Sequence, residues 1–168
     1  MTDDVKIIPF GEEKIDADIL NTIKKILLFY LTNINSVMVE CMKNIYCNPE
    51  IPQNNSIKFT TIKGTFGGVY DNNYGGYFKQ LWRDNILRNL QDLMHDRIVE
   101  CIDLFKDELP EYIEKIFHEQ YNKLINDKVS IKNLYNEFTI ALYDFYFYLE
   151  EKKMEKIIEK MKEQTIVK

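Results

Sequence analysis

Only two histidines occur in the 168-residue chain, His95 and His118, and histidine is the side chain whose ordinary pKa lies nearest neutrality. Arg88 and His95 form the more suggestive constellation. They lie seven residues apart in a stretch of helical periodicity, which puts them on one helix face. An imidazole moves protons near neutrality and a guanidinium grips phosphate with a rigid fork, so the pair has the parts of a phosphodiester-cleaving site. Alternatively this is a solvated face, opposite the apolar stripe, on which Arg88 pairs with Asp84 or Asp92 at four-residue spacing. Metal chemistry has less to work with. Asp92-x-x-His95 and Glu114-x-x-x-His118 are isolated pairs, whereas a di-metal bundle needs two Glu-x-x-His motifs and two further glutamates. Cys41, Cys47 and Cys101 make no Cys-x-x-Cys and fall on or beside apolar stripes, which supplies neither a zinc site nor an activated nucleophile. No metal and no cofactor is expected.

The segment Arg88-Asn89-Leu90-Gln91-Asp92-Leu93-Met94-His95 resembles the Arg-x(4–6)-His motif of HEPN-family ribonucleases, in which a polar residue often follows the arginine. The resemblance covers eight residues. It implies a dimer of helical bundles whose paired motifs meet across the interface, with metal-independent RNA cleavage using His95 for proton transfer and Arg88 on phosphate. A second stretch, Lys63-Gly64-Thr65-Phe66-Gly67-Gly68-Val69-Tyr70, is similar to the glycine-rich loop of protein kinases. Here the chain departs from that family: Ile62 stands where the first glycine belongs, and no catalytic-loop or magnesium motif follows. Without Gly-Lys-Ser/Thr a nucleotide P-loop is excluded as well.

Two aromatic clusters are candidates for recognition rather than catalysis. Five of the six glycines lie between Gly64 and Gly76, and the pattern aromatic-Gly-Gly-apolar-aromatic occurs twice, at Phe66 to Tyr70 and at Tyr74 to Phe78. With the turn chemistry of Asp71-Asn72-Asn73 between them, the two arms read as a hairpin-like pair. Phe66, Tyr70, Tyr74 and Tyr77 would then present a binding surface, or fold back as a lid on the core. The second cluster, Tyr143, Tyr146, Phe147 and Tyr148, points all round a helix, which suits either a central helix with tyrosine tips at the surface or an interface.

Helices must position all of these residues. Apolar positions from Ile19 to Ile45 step by three and four and predict one central helix from about Asp16, with poorer helix formers and a possible kink site at residues 32–36. Breakers at Pro49, Pro52 and Asn54-Asn55 predict a loop, and residues 57–63 a short strand. A second long helix is expected from Phe78 to about Lys106 with Trp82 on its buried face, a third from Pro110 to about Asn126, and a fourth capped by Ser130. The fold class is therefore mostly α: a four-to-five-helix bundle with a Gly/aromatic-rich, β-prone excursion at about 57–78 after the first helix. Residues 1–150 read as one helical domain and 151–168 as a charged helical extension with a narrow seam at Met154, Ile157, Ile158 and Met161.

The net charge of −5 argues against nucleic acid as a main partner, because backbone binding needs a field of Lys and Arg, and the C-terminal lysines are interleaved with glutamates. The longest strongly apolar run, residues 26–31, is far below the ~20 residues of a membrane span. An odd cysteine count and an acidic start at Asp3-Asp4 suggest reduced thiols and a cytoplasmic location. These features together point to a non-enzymatic protein–protein interaction module. An adaptor, an immunity-type inhibitor or a viral or phage antagonist of a host factor would fit, binding a protein partner or its own copy through the aromatic loop and the last helix. The alternatives are the HEPN-like ribonuclease dimer and a structural subunit of a self-assembling complex.

Overall fold

Asp16 starts the first helix. Its carboxylate accepts the Ile19 amide at 2.9 Å, and α1 runs Ala17–Tyr30. The computed structural model describes residues 5–71 and 78–166. The periodic stripe from Ile19 to Ile45 predicts one long helix. Instead the chain breaks at residues 31–33 and turns back into α2 (Ile34–Tyr46). Asn33 makes the break, its side chain accepting the Ser36 amide at 3.2 Å as the N-cap of α2. Asn44 then donates to the Ile19 carbonyl at 3.3 Å, which sets the end of α2 beside the start of α1. The stripe is continuous in sequence because both legs of this hairpin face the same core: Ile19, Ile23 and Leu27 from one, Val37, Met38, Cys41 and Ile45 from the other.

After α2 the chain passes through a 3₁₀ turn (Pro52–Asn54) into a three-stranded antiparallel sheet: β1 (Ile57–Lys58), β2 (Phe66–Tyr70) and β3 (Phe78–Trp82), in that order. The register pairs Phe66 with Trp82 and Tyr70 with Phe78. Residues 78–82, expected to open the second long helix, are thus a strand. Alternation explains it: Phe78, Gln80 and Trp82 share one face, and the period is two until Arg83 begins α3 (Arg83–Leu104). Trp82 consequently stands exposed on the sheet and not on a buried helix face. Tyr74 and Tyr77, in the expected second arm, lie outside the described residues.

Gly67 lets the sheet close on the bundle. A β-carbon there would come within 2.7 Å of the Phe59 ring and 3.0 Å of Ile86 Cδ1, and Phe59 is itself buried. The segment preceding α1 is fastened to the same region. Buried Glu13 accepts hydrogen bonds from the Gly11 amide (2.8 Å) and the Ser56 hydroxyl (2.9 Å), and the Tyr46 hydroxyl bonds to it as well. Buried Asn54 clasps the backbone of Lys14, accepting from its N–H at 3.2 Å and donating to its C=O at 3.0 Å.

Two further helices complete the bundle, α4 (Tyr112–Ile125) and α5 (Lys128–Ile166). Asp127 caps α5 rather than Ser130. Its carboxylate accepts the Val129 amide (3.0 Å) and the Ser130 hydroxyl (2.9 Å), bonds that hold it below its ordinary pKa. α5 runs through residues 150–151 without interruption; Leu134, Phe138 and Leu142 are buried, and every residue from 151 to 165 is exposed. The fold is mostly α, with a small sheet inserted after the second helix. No helix among the described residues is long and apolar enough to cross a membrane.

Replacing Gly67 by Ala should cost about 1–3 kcal/mol by driving a methyl into Phe59 and Ile86, measured as a shift in urea midpoint. Gly68→Ala should cost less, since the nearest atom its β-carbon would meet is Phe78 Cβ, at 3.3 Å. A second expectation concerns alkali. Burial, reinforced by the Glu13 charge, holds the Tyr46 hydroxyl well above its ordinary 10.0. Burial likewise pushes the Cys47 and Cys101 thiols from 9.0 to about 12 and about 11. The folded protein keeps these protons while the unfolded chain sheds them, so the stabilisation is complete below about pH 9 and drains away as pH rises through the folded values. Urea midpoints followed from pH 8 to 11 should fall above pH 9; a flat profile would contradict these burials.

Candidate functional site

Period-two geometry divides the sheet. Gly67 and Val69 face the core, while Phe66, Gly68 and Tyr70 of β2 share the outer face with Phe78, Gln80 and Trp82 of β3. Phe66 stacks on Trp82 with ring centroids 4.7 Å apart, and Tyr70 meets Phe78 edge-on at 5.7 Å. Gly68 between them leaves the space into which Phe78 leans. Phe66 and Trp82 are exposed, Trp82 to 57%, and Tyr70 is half-buried.

The second cluster approaches this face from α5. Lys58 of β1 holds its ammonium 4.7 Å from the centre of the Phe78 ring and 5.7 Å from that of Tyr146. One lysine therefore joins the sheet aromatics to the helix aromatics, although the sequence separates them by more than sixty residues. The other members point elsewhere. Tyr143 and Tyr146 are half-buried, Phe147 and Tyr148 exposed, with Tyr143 against Phe147 at 6.4 Å and Tyr148 against Phe145 at 6.1 Å. Lys152 lies over Tyr148 at 5.6 Å.

α5 also carries a seam that periodicity alone reveals. Ile140, Phe147, Met154 and Met161 recur at seven-residue intervals, and all four are exposed. Beyond residue 150 nothing covers it among the described residues, and Met154 and Met161 stand 57% and 62% exposed.

Arg88 and His95 do share one face of α3, which is solvated at Arg88 and Asp92, as expected, but half-buried at His95. Gln91, between them, is buried where α4 and α5 pack against α3. Its Nε2 donates to the Tyr121 hydroxyl at 3.2 Å, and its Oε1 accepts from the Tyr135 hydroxyl at 2.7 Å. Arg88 hydrogen-bonds Tyr135 and forms no ion pair with Asp84 or Asp92 among the described residues. His95 is half-buried, its ring 4.4 Å from that of Tyr121, with Nδ1 3.3 Å from Asp96 Oδ1. Burial raises the pKa of both tyrosines. Four residues thus form a relay, Arg88–Tyr135–Gln91–Tyr121, with His95 laid over its end. Among the described residues no group of three His, Cys, Asp or Glu is placed to hold a metal. Cys41, Cys47 and Cys101 are free thiols.

Sequence reasoning missed Trp82 and Lys58. Alternation across residues 78–82 was the available signal for Trp82, hidden because the strand abuts a helix whose apolar spacing can be extended back through it. Lys58 carries no signal at all, since its role depends on which rings tertiary folding brings beneath its ammonium.

Comparisons with protein-family models, curated proteins and solved structures return no match for this chain.

Trp82 is the sole tryptophan and more than half exposed. Its fluorescence should be that of a hydrated indole and be strongly quenched by acrylamide in the native protein, changing little on unfolding. A blue-shifted, quencher-protected emission would show that something covers this face.

Proposed function

We propose that this protein is a protein–protein interaction module whose docking element is the exposed half of α5, with the Phe66–Trp82 patch as a secondary contact. The observation that carries this is the heptad seam: an apolar row at Phe147, Met154 and Met161, joined by Ile157 and Ile158, on a helix that has left its own core. An exposed row of this kind gains little for the fold and is the form taken by helices that lie in a partner's groove.

The charges flanking the seam favour a foreign partner over a second copy. Lys153 and Lys160 border one side; Asp144 and Glu151 border the other. Antiparallel pairing of two copies sets lysine against lysine and acid against acid, and parallel pairing sets Lys153 against Ile158. An apolar groove with an acidic rim on its lysine side suffers neither conflict. A ribonuclease dimer would need Arg88 and His95 free to reach an RNA phosphate. Arg88 is exposed, but His95 is half-buried with its ring over Tyr121, so the seam is the better-supported feature.

The test places a photo-crosslinking residue at position 157 of the full chain in its native cells. A single heterologous adduct, lost when Met154→Lys and Met161→Lys are introduced together, is the expected result. These exposed substitutions should leave the melting temperature within a few degrees of the parent. An adduct of twice the chain mass would move the function to self-assembly, and no adduct at all would remove the seam as a docking element.

A further inference from the structure

Beside the sheet, on a different face of α5 from the seam, lies a cavity of about 280 Å³. Its walls come from several separate parts of the chain, among them Ile7 from the leading segment, Pro52 from the 3₁₀ turn, Ile57 from β1, Phe78 from β3, and Leu142, Tyr146 and Leu149 from α5. Along α5 the lining continues from these apolar residues to Lys153 and Lys156, at steps of four, three, four and three from Leu142, which is one helix face. Lys152 lines the same end. The apolar walls around buried Ile57 and Leu142 are thus bordered by four lysines: Lys152, Lys153 and Lys156 toward the outer end of α5, and Lys58 beside Ile57, its ammonium over the Phe78 and Tyr146 rings.

The lysines are available. Lys152 and Lys153 make exposed ion pairs with Glu155 and Glu150, each at 3.3 Å, and such pairs exchange at little cost. Lys156 makes no ion pair among the described residues. Glu150 also lines the cavity, and its partner Lys153 offsets its charge. Volume bounds the ligand. An apolar cavity of ~150 Å³ holds benzene, so roughly twice that space suits about a dozen non-hydrogen atoms.

We propose that this cavity binds a medium-chain carboxylate. Its alkyl chain lies between Ile57 and Leu142, and its carboxylate sits among Lys152, Lys153 and Lys156. The apolar walls exclude a ligand charged throughout, and the four lysines, offset by a single glutamate, select an anionic head over a neutral or cationic one. The site shares Lys153 with the border of the docking seam, but it rests on the cavity's own lining and does not require the seam to dock a partner.

Calorimetric titration of the full chain with hexanoate, octanoate and decanoate tests the proposal, with decylamine as the charge-reversed control. Saturable binding of one decanoate per chain is expected, tightening about fourfold for each added methylene until the cavity is full. Decylamine should bind at least tenfold more weakly. Lys153→Glu with Lys156→Glu should weaken decanoate at least tenfold while leaving the melting temperature unchanged, because both side chains are exposed. Leu149→Trp should occlude the cavity, and the lysine pair keeps the proposal falsifiable where that variant does not fold. Equal affinity for decanoate and decylamine, no dependence on chain length, unsaturable uptake, or indifference to the lysine substitutions would each overturn it. A final arm uses anionic phospholipid vesicles. Vesicle binding that decanoate fails to compete would show that the lysines serve a membrane surface and would overturn the free-carboxylate assignment.

Discussion

The Glu13 carboxylate is the fastening on which the sheet side of the molecule depends. Removing a carboxylate from water is costly, and it is tolerated here because Gly11, Ser56 and Tyr46 each supply a donor. Those three donors come from the leading segment, the loop before β1 and the end of α2. One buried acceptor therefore fixes three stretches of chain that share no secondary structure. Asn54 repeats the device beside it by grasping the Lys14 backbone from both sides. With these bonds made, residues 5–15 lie along the body, Ile7 reaches the cavity wall, and β1 begins in register with β2.

Gly67 does the corresponding work from the opposite side. Without a β-carbon at that point the Phe59 ring packs closely against the strand, and the sheet lies down onto Ile86 of α3. Its outer face is then free to carry aromatic rings. Gly67 on the inner face of β2 and the rings of Phe66 and Tyr70 on the outer face are two sides of this close approach. The glycine at position 67 thus has a packing cause.

Much of the helical architecture was legible from apolar spacing, because burial on one side imposes a 3.6-residue rhythm that survives in the residues themselves. Ile86, Leu90, Met94, Ile98 and Cys101 were all recognisable in this way, and all are buried. Spacing was blind wherever two segments share a core or a rhythm. Asn33 could not be seen as a hairpin turn, since the stripe before it and the stripe after it face the same interior. Trp82 looked like a helical residue because a strand runs directly into a helix. The Gln91 relay was hidden for another reason: hydrogen bonds between Tyr121, Gln91 and Tyr135 join three helices, and no one-dimensional pattern records them. The sequence left Phe147 and Tyr148 open between a central helix and an interface, and the connection of Tyr146 to the sheet required Lys58 in three dimensions.

α5 has a kinetic consequence of its own. Starting a helix is its expensive step, and the packed turns around Leu134 and Phe138 supply a permanent nucleus from which the remaining turns only have to propagate. The outer sixteen residues can thus stay helical without a core of their own, about 24 Å of rod extended from an anchored base. Such a rod melts from its tip. Amide protection should decline steadily from Leu142 toward Thr165 within one unbroken element, so that a single helix spans the range from the most persistent hydrogen bonds of the protein to fraying ends.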